Sequence, residues 1–240
     1  MNNVRTVSDT KRAFYNTHTR PVNSIYRRVV EELMVEMHLH SVNVDFHYDP
    51  LYALGVVTSF DRFMQGYRPE SDKEPIFNAL CQALGNDPQK FRQDSEHLLS
   101  LASHHPWDQL LSTSHSIPEA SYLLENVQQI ANNPKFKYSR LFAIGMFTLV
   151  GTADPSLLKD EAKRLEALKQ VCTNLNLPED KVRKDLELYQ SNLEKMAQAQ
   201  LVMEDLIKAD RKKREERAQA KAASAEAASE PPKDEATSSS

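Results

Sequence analysis

The sequence predicts an all-α protein, a multi-helix bundle that ends in a long coiled-coil-type helix and a disordered tail. Three observations predict this fold class. Apolar residues recur at helical spacing along most of the 240 residues, helix start and stop signals separate them, and after Pro178 they narrow to a single stripe. A hydrophobic content of 40% suffices for a sizeable core. We therefore expect a helical domain at residues 1–176, a long helix at residues 177–221 and a disordered tail at residues 222–240.

Asp-Pro dipeptides mark three helix starts. Each places a carboxylate, which can accept hydrogen bonds from free amides, before a proline at the first helical position, where the amide has no partner within the helix. The dipeptides are Asp49-Pro50, Asp87-Pro88 and Asp154-Pro155. Two further starts are predicted by the spacing of a capping box, in Ser71 with Glu74 and in Ser116 with Glu119.

Glycines indicate where helices end, at Gly66, Gly85 and Gly151. Together these signals predict helices at residues 8–17, 22–41, 50–65, 72–84, 88–104, 117–132, 137–150, 155–175 and 178–220. Residues 42–48 alternate apolar and polar side chains with period two, as in a strand. Because no second segment of this kind is available for pairing, we interpret them as an ordered extended loop.

The last predicted helix has a much narrower apolar stripe than the others. Seven of its apolar residues fall on alternating four- and three-residue steps, interrupted only by Gln200. They are Val182, Leu186, Tyr189, Leu193, Met196, Met203 and Ile207. Such a stripe is typical of a coiled-coil seam, so the helix either leaves the globular part or packs along it by one edge. From Ala222 onward no aromatic or large aliphatic residue remains to offset the entropy of ordering a tail.

Composition argues against several classes of function. The net charge of −4 gives no basic field for nucleic acid or anionic lipid, and acidic residues flank the basic block at residues 211–214. Cys81 and Cys172 have neither a metal-type nor a redox-type spacing. The N-terminus lacks the order of a signal peptide, and the most apolar run, residues 141–151, is too short to span a bilayer. We therefore expect membrane association to be peripheral or through a partner.

One predicted helix face carries candidate metal ligands. Glu32, Glu36 and His40 recur every four residues, with His38 nearby, and zinc or iron binds such side chains. However, the chain contains no His-Glu-x-x-His or Glu-x-x-His sequence, and no glycine-rich phosphate loop. We favour a solvated or hydrogen-bonded helix face without metal or cofactor. The alternative is a metal- or pigment-binding helical carrier or enzyme that uses Glu32, Glu36 and His40.

Long runs of residues resemble those of a known family. They cover residues 6–15 and 18–39, then residues 49–57, 60–64 and 66–70, and more loosely residues 137–145. Specific examples are Thr6-Val7-Ser8-Asp9, Tyr26-Arg27-Arg28 and Gly66-Tyr67-Arg68-Pro69-Glu70. In these runs the chain resembles the thylakoid formation family, also called a photosystem II biogenesis protein family, of cyanobacteria and plastids.

The resemblance implies an all-helical, non-catalytic accessory protein that associates with membrane-anchored, FtsH-type AAA proteases. It implies a role in photosystem II repair and thylakoid maintenance. From the charge and the missing motifs, we expect no nucleic-acid partner and no cofactor. Because the resembling runs begin near Met1, we expect a cyanobacterial member that lies peripherally on the cytoplasmic side of the thylakoid membrane. For a processed plastid form, the expected location is the stroma.

Two surfaces are candidates for contact with such a partner. In the first, aromatic and arginine side chains coincide as they do at interfaces, at Tyr26, Arg27, Phe60, Arg62 and Tyr67. The alternative interpretation is that these aromatic residues are core, with arginines at the rim. The second is the seam of the last helix, represented by Leu186, Tyr189, Leu193, Met196 and Met203. The same seam could join a homodimer, with Gln200 fixing its register.

Overall fold

The computed structural model describes residues 5–227, with side chains described as far as residue 220. Its helices are α1 (Val7–Thr17), α2 (Ser24–Ser41), α3 (Pro50–Phe63), α4 (Lys73–Ala83), α5 (Pro88–His104), α6 (Trp107–Leu110), α7 (Ser121–Ala131), α8 (Arg140–Ala153), α9 (Glu161–Asn174) and α10 (Glu179–Ala227). The described residues contain no strand, so the all-α class is confirmed, and residues 42–48 form a loop as predicted. The short helix α6 is not among the predicted elements.

The Asp-Pro dipeptides begin helical turns at all three places. Asp49 and Asp87 each accept a hydrogen bond from an amide of the first turn, at 2.8 and 2.9 Å, so α3 and α5 start where predicted. Asp154 accepts a similar bond but begins a short 3₁₀ turn, Pro155–Leu158. The single helix predicted at residues 155–175 is therefore wrong in its first part, because α9 follows a second cap at Asp160.

Three predicted start and stop signals are wrong. Neither Ser71 nor Ser116 caps a helix, since a 3₁₀ turn begins at or near each place. Helix α8 continues past Gly151, and that glycine faces the side chain of Leu158. Gly85, by contrast, follows α4 with a φ of 76°, the left-handed conformation that ends a helix.

Helices α3 and α8 form the centre of the fold, and α5 packs against both. Two glycines permit their close approach. A Cβ atom on Gly55 would collide with the carbonyl oxygen of Leu141, and one on Gly145 would collide with that of Leu51. Each glycine thus meets the leucine that lies four residues before the other glycine. Such an exchange of contacts is characteristic of a two-fold relation between similar elements.

The sequence itself contains the repeat that this relation implies. The pattern Asn-x-x-Phe-x-Tyr-x-x-Leu-x-Ala-x-Gly-x-x-Thr occurs at residues 43–58 and again at residues 133–148. In each copy a loop leads into the central helix, whose capping residue is Asp49 in α3 and Ser139 in α8. The elements α2 to α5 therefore recur as α7 to the first part of α10.

Equivalent side chains make equivalent contacts in the two repeats. In each, a loop tyrosine donates a hydrogen bond to a carboxylate of the fourth helix and lies beside a lysine of that helix. These residues are Tyr48, Asp94 and Lys90 in the first repeat and Tyr138, Asp185 and Lys181 in the second. The oxygen–oxygen distances are 2.7 and 2.8 Å, and the lysine nitrogens lie 4.8 and 4.9 Å from the ring centroids. The match supports a duplicated four-helix arrangement.

The chain divides into two compact units within α10, after Glu194. This division coincides with the end of the repeat, because the position in α10 that corresponds to His104, the last residue of α5, is Lys195. The backbone remains helical to Ala227, beyond the predicted start of the disordered tail at Ala222. The rest of that predicted tail, residues 228–240, lies outside the described residues.

Candidate interaction surfaces

The five residues of the first candidate surface are divided between the core and the exposed surface. Tyr26, Phe60 and Tyr67 are only 4%, 1% and 2% exposed, and the rings of Tyr26 and Tyr67 meet edge to face at 5.0 Å between centroids. Arg27 and Arg62 are exposed. The interpretation of a core with arginines at its rim therefore fits these five residues. Direct contact with a partner stays a prediction, and the two arginines are the residues placed to make it.

Arg27 lines a groove along α2, which we call the α2 groove and which also includes the apolar side chains of Val35 and Leu39. Three acidic residues of its lining form ion pairs with basic ones, at 2.5 to 2.9 Å. The pairs are Glu31 with Lys11, Glu32 with Arg28 and Glu36 with Arg140. Among the described residues Arg27 forms no such pair, so it adds one unbalanced positive charge to the groove.

The first part of the predicted seam belongs to the core of the first unit. Val182, Leu186 and Tyr189 are all buried, and the Tyr189 ring meets that of Phe63 edge to face at 5.7 Å. Here α10 packs along the globular part by one edge, which was one of the two predicted arrangements. Leu186 and Tyr189 are therefore core residues, and their predicted contact with a partner stays a prediction.

Arg62 of the first candidate surface lies beside Tyr189 of the second. Burial raises the pKa of Tyr189 to about 12, and the Arg62 guanidinium lies near enough to oppose that shift. Arg62 belongs to α3 and Tyr189 to α10. The exposed guanidinium of Arg62 therefore lies beside the first, buried part of the predicted seam. This neighbourhood does not follow from the sequence pattern, because the two residues are far apart along the chain.

The remaining seam residues differ in exposure. Met196 is buried, and Leu193 and Met203 are half-buried. In the second unit, four large apolar side chains are instead 60% to 66% exposed. They are Leu201, Val202, Leu206 and Ile207. Only Ile207 belongs to the predicted seam, so the prediction of a single narrow apolar stripe is wrong in this part of α10. Because exposed apolar side chains clustered in this way are typical of interaction sites, this part of α10 is the stronger candidate surface.

The structure does not bring the candidate metal ligands together. Glu32 and Glu36 form ion pairs with arginines. The His40 ring packs among aromatic side chains, and burial lowers its pKa. His38 is buried, with its Nδ1 atom 2.9 Å from the hydroxyl of Thr10. Within the part of the chain that the structure describes, no group of three or more histidine, cysteine, aspartate or glutamate residues could hold a metal ion.

The two cysteines occupy corresponding buried positions of the repeats. Burial raises the pKa of Cys81 to about 12 and that of Cys172 to about 11. A thiol is nucleophilic as the thiolate, so a raised pKa disfavours a reactive role. Both thiols therefore act as small apolar core groups.

The apolar run at residues 141–151 lies within α8, a helix of 14 residues. Between residues 5 and 227, no helix is both long and apolar enough to cross a bilayer. The notable surface features of the described residues are the largely charged α2 groove, the exposed Arg62 beside the buried Tyr189, and a ridge on α10, by which we mean the exposed apolar side chains within residues 201–207. These features define an all-helical protein with candidate interaction surfaces.

Comparison with known proteins identifies the family. The family model described as thylakoid formation protein matches residues 6–218. The chain therefore belongs to the thylakoid formation protein family, and the resemblance noted in the sequence is confirmed. The match covers both units, including the exposed apolar residues of α10.

Individual relatives agree with this assignment. Protein Thf1 of Nostoc punctiforme is 61% identical over 215 residues, which cover 88% of this chain and 92% of the relative. Protein Thf1 of Gloeothece citriformis is 59% identical over 216 residues, with 88% and 96% covered. A solved structure of Psb29 is 45% identical, with a TM-score of 0.68, and the match covers 80% of this chain and 98% of that one. The chain is thus similar to these proteins over most of their length.

Proposed function

We propose that this protein is a non-catalytic accessory protein that binds a membrane-anchored, FtsH-type AAA protease and supports photosystem II repair and thylakoid biogenesis. It acts at the cytoplasmic side of the thylakoid membrane and reaches the membrane through its protease partner. The observation that carries this proposal is the family match over residues 6–218, since it includes the helical body and the exposed part of α10.

The surfaces of the chain suit an adaptor of this kind. An apolar ridge on a helix is a common element by which one protein enters a groove of another. The ridge at residues 201–207 and the exposed Arg62 are two distinct places for such contact. Arginine is enriched where interfaces have their strongest contacts, so Arg62 is the sharper single-residue test.

Co-purification from thylakoid membranes tests the proposal. The baits are the tagged full-length chain, a chain truncated after Glu194, and a full-length Arg62→Glu variant. We expect the full-length bait to recover the protease, and the truncated bait to recover at least about tenfold less if residues 201–207 are hot-spot contacts. Truncation after Glu194 keeps the buried Tyr189 but removes the buried Met196. Circular dichroism of the truncated bait therefore has to show a folded body before a loss of recovery is assigned to the helix surface.

The Arg62→Glu bait separates the two surfaces. Loss of the protease with this bait alone would assign the contact to the neighbourhood of Arg62 and Tyr189. Full recovery with Arg62→Glu and loss with the truncated chain would assign it to α10. Absence of the protease from every preparation, including the full-length one, would contradict the proposal.

A further inference from the structure

Helix α1 is attached to the rest of the first unit by three side chains that recur every four residues. Thr10 and Phe14 are completely buried, and the hydroxyl oxygen of Thr10 lies 2.9 Å from Nδ1 of His38 in α2. His18 directly follows α1 and caps it, because its amide donates to the carbonyl oxygen of Phe14 at 2.8 Å. Since α1 packs against α2 and α4, these three side chains hold it on both helices.

One nitrogen of the His18 ring is buried without a hydrogen-bond partner. The residue is only 6% exposed, and its ring centroid lies 6.0 Å from that of Phe14. Among the described residues, none forms a hydrogen bond with Nε2 of His18. In a neutral imidazole with its hydrogen on the other nitrogen, Nε2 is only an unfilled acceptor. In a protonated imidazole both nitrogens are donors, so a charged group would be buried with one donor unsatisfied, at a larger cost in free energy.

The charges around His18 do not remove this cost. Asp72, in the turn that leads into α4, favours the protonated ring, but its carboxylate already pairs with Arg20. The positive charge of Arg20 acts in the opposite direction. Burial has the largest effect, and it lowers the pKa of His18 from its usual value. His18 is therefore neutral at neutral pH while α1 is docked.

Two titratable side chains of α2 also contact α1. Hydrogen bonds from Lys11 and Tyr15 lower the pKa of Glu31, so this carboxylate stays ionised in weakly acidic solution. His38 has the hydroxyl of Thr10 as a partner for its Nδ1 atom. His18 differs from both residues because its buried Nε2 has no partner among the described residues.

We propose that His18 is a pH-sensitive switch, which holds α1 on α2 and α4 while the imidazole is neutral and weakens this docking when the imidazole is protonated. In undocked α1 the ring lies in water, where its pKa is about 6.5. The docked state therefore binds fewer protons than the undocked state in acid. Its stability is fully present above about pH 7.5 and falls as the pH drops through about 6.5. Acid thus uncovers the parts of α2 and α4 that lie beneath α1. This switch goes beyond the proposed function and does not depend on a protease partner.

Hydrogen exchange of backbone amides in the purified full-length chain tests this proposal. Protection factors of α1 and α3, corrected for the intrinsic exchange rate, are compared between about pH 7.5 and about pH 5.0. If docked His18 excluded the proton completely, protection of α1 would fall by about 30-fold, because the undocked ring has a pKa of about 6.5. We expect a fall of roughly five- to 30-fold. The protection of α3 should exceed that of α1 at both pH values, since α1 opens on its own.

His18→Gln removes the titration and keeps a polar side chain in the same place. We expect the protection of α1 in this variant to change by less than about twofold over the same pH range. The measured quantity is a ratio between two pH values, so a uniform loss of protection in the variant does not affect it. His97→Gln is the matched control, because His97 is exposed on α5. This control should keep the full pH dependence of the wild type.

Titration of the histidine rings by nuclear magnetic resonance provides a second measurement, in which the signal missing from His18→Gln identifies His18. We expect its midpoint to lie below the ordinary value of about 6.5. A midpoint at or above that value would overturn the proposal. The same pH dependence in the wild type and in His18→Gln would also overturn it, since another group would then be responsible. Equal protection of α1 and α3 at the lower pH would do so as well, because acid would then unfold the whole unit.

Discussion

At the scale of single residues, Gly55 and Gly145 set the distance between α3 and α8. Replacing either glycine with alanine places a methyl group against a backbone carbonyl oxygen, which cannot rotate away as a side chain can. We expect each substitution to lower the free energy of unfolding by about 3 kcal/mol or more, measured by urea denaturation. Because the two contacts are reciprocal, the two losses should be similar.

Gly151→Ala is the matched control for this prediction. The added methyl group would meet only the side chain of Leu158, which is half exposed and can move. Alanine is also the better helix former, so we expect the free energy of unfolding to change by less than about 1 kcal/mol. Equal losses at all three glycines would contradict the idea that backbone contact between α3 and α8 is the cause.

Asp49 and Ser139 cap the corresponding helices of the two repeats, but only the aspartate can be ionised. Burial raises the pKa of Asp49 to about 7, against the opposing effect of hydrogen bonds from the amides of Tyr52 and Leu51. In an unfolded chain this pKa is about 3.9. The folded state thus holds a proton that the unfolded chain releases. The resulting stabilisation is complete below about pH 4 and is lost as the pH rises through 7.

Asp49→Asn should remove this pH dependence, because the amide oxygen still accepts the capping hydrogen bonds but does not titrate. Relative to wild type, we expect the variant to gain stability between pH 4 and pH 8, by at most roughly 4 kcal/mol. Near pH 4 the two proteins should be similar. Urea denaturation across this pH range is the measurement, and parallel stability profiles for the two proteins would rule out the shifted pKa.

At the scale of elements, the first part of α10 contributes to the core of the first unit, and the part after Glu194 is mostly exposed. Truncation at two places should separate the effects of these two parts on stability. Removing residues after Glu194 leaves the buried Val182, Leu186 and Tyr189 in place and deletes the buried Met196, so we expect the melting temperature to fall by only a few degrees. Removing residues after Asn176 deletes all three. Since truncating one buried large side chain costs about 2–5 kcal/mol, the shorter chain should lose most of its stability margin.

Thermal unfolding followed by far-ultraviolet circular dichroism compares the two truncated chains with the full-length protein. The chain that ends at Glu194 serves as the control for loss of the exposed helix together with the one buried side chain of Met196. If both truncated chains melted near the full-length temperature, the assignment of the first part of α10 to the core would be contradicted.

The elements show which parts of the fold can be predicted from sequence. Helix starts at Asp49 and Asp87 are local events between a side chain and nearby amides, so the sequence predicts them. The burial of Tyr26 and Phe60 depends on neighbours that are distant in the chain, and their residue types fit a core and an interface equally well. The narrow stripe of α10 has the same ambiguity, because a seam can face a partner or the protein's own body.

The candidate surfaces were only partly predictable for the same reason. The sequence indicates the two arginines and, of the ridge on α10, only Ile207, whereas the α2 groove emerges only from the structure. A comparison of the sequence with itself would have revealed the repeat, because residues 43–58 and 133–148 share their pattern. The apolar exposure of Leu39 and Val44 would still have required the structure.

At the scale of the whole molecule, the first unit is a single core built from two similar halves. The contact between α3 and α8 joins the halves at the centre. The ion pair between Glu36 and Arg140 also crosses from one repeat to the other. Each half therefore depends on the other to cover its central helix, which favours unfolding of both halves together.

We therefore expect one cooperative unfolding transition for the chain that ends at Glu194. The single tryptophan, Trp107, lies between the repeats, so its fluorescence can be compared with circular dichroism of the whole unit. Leu33→Ala in the first repeat and Leu123→Ala in the second remove corresponding buried side chains, and each should lower the free energy of unfolding by about 2–5 kcal/mol. Both signals should shift together for both variants. Two separate transitions, with each variant moving only one, would mean that the halves fold independently and that the glycine-mediated contact does not couple them.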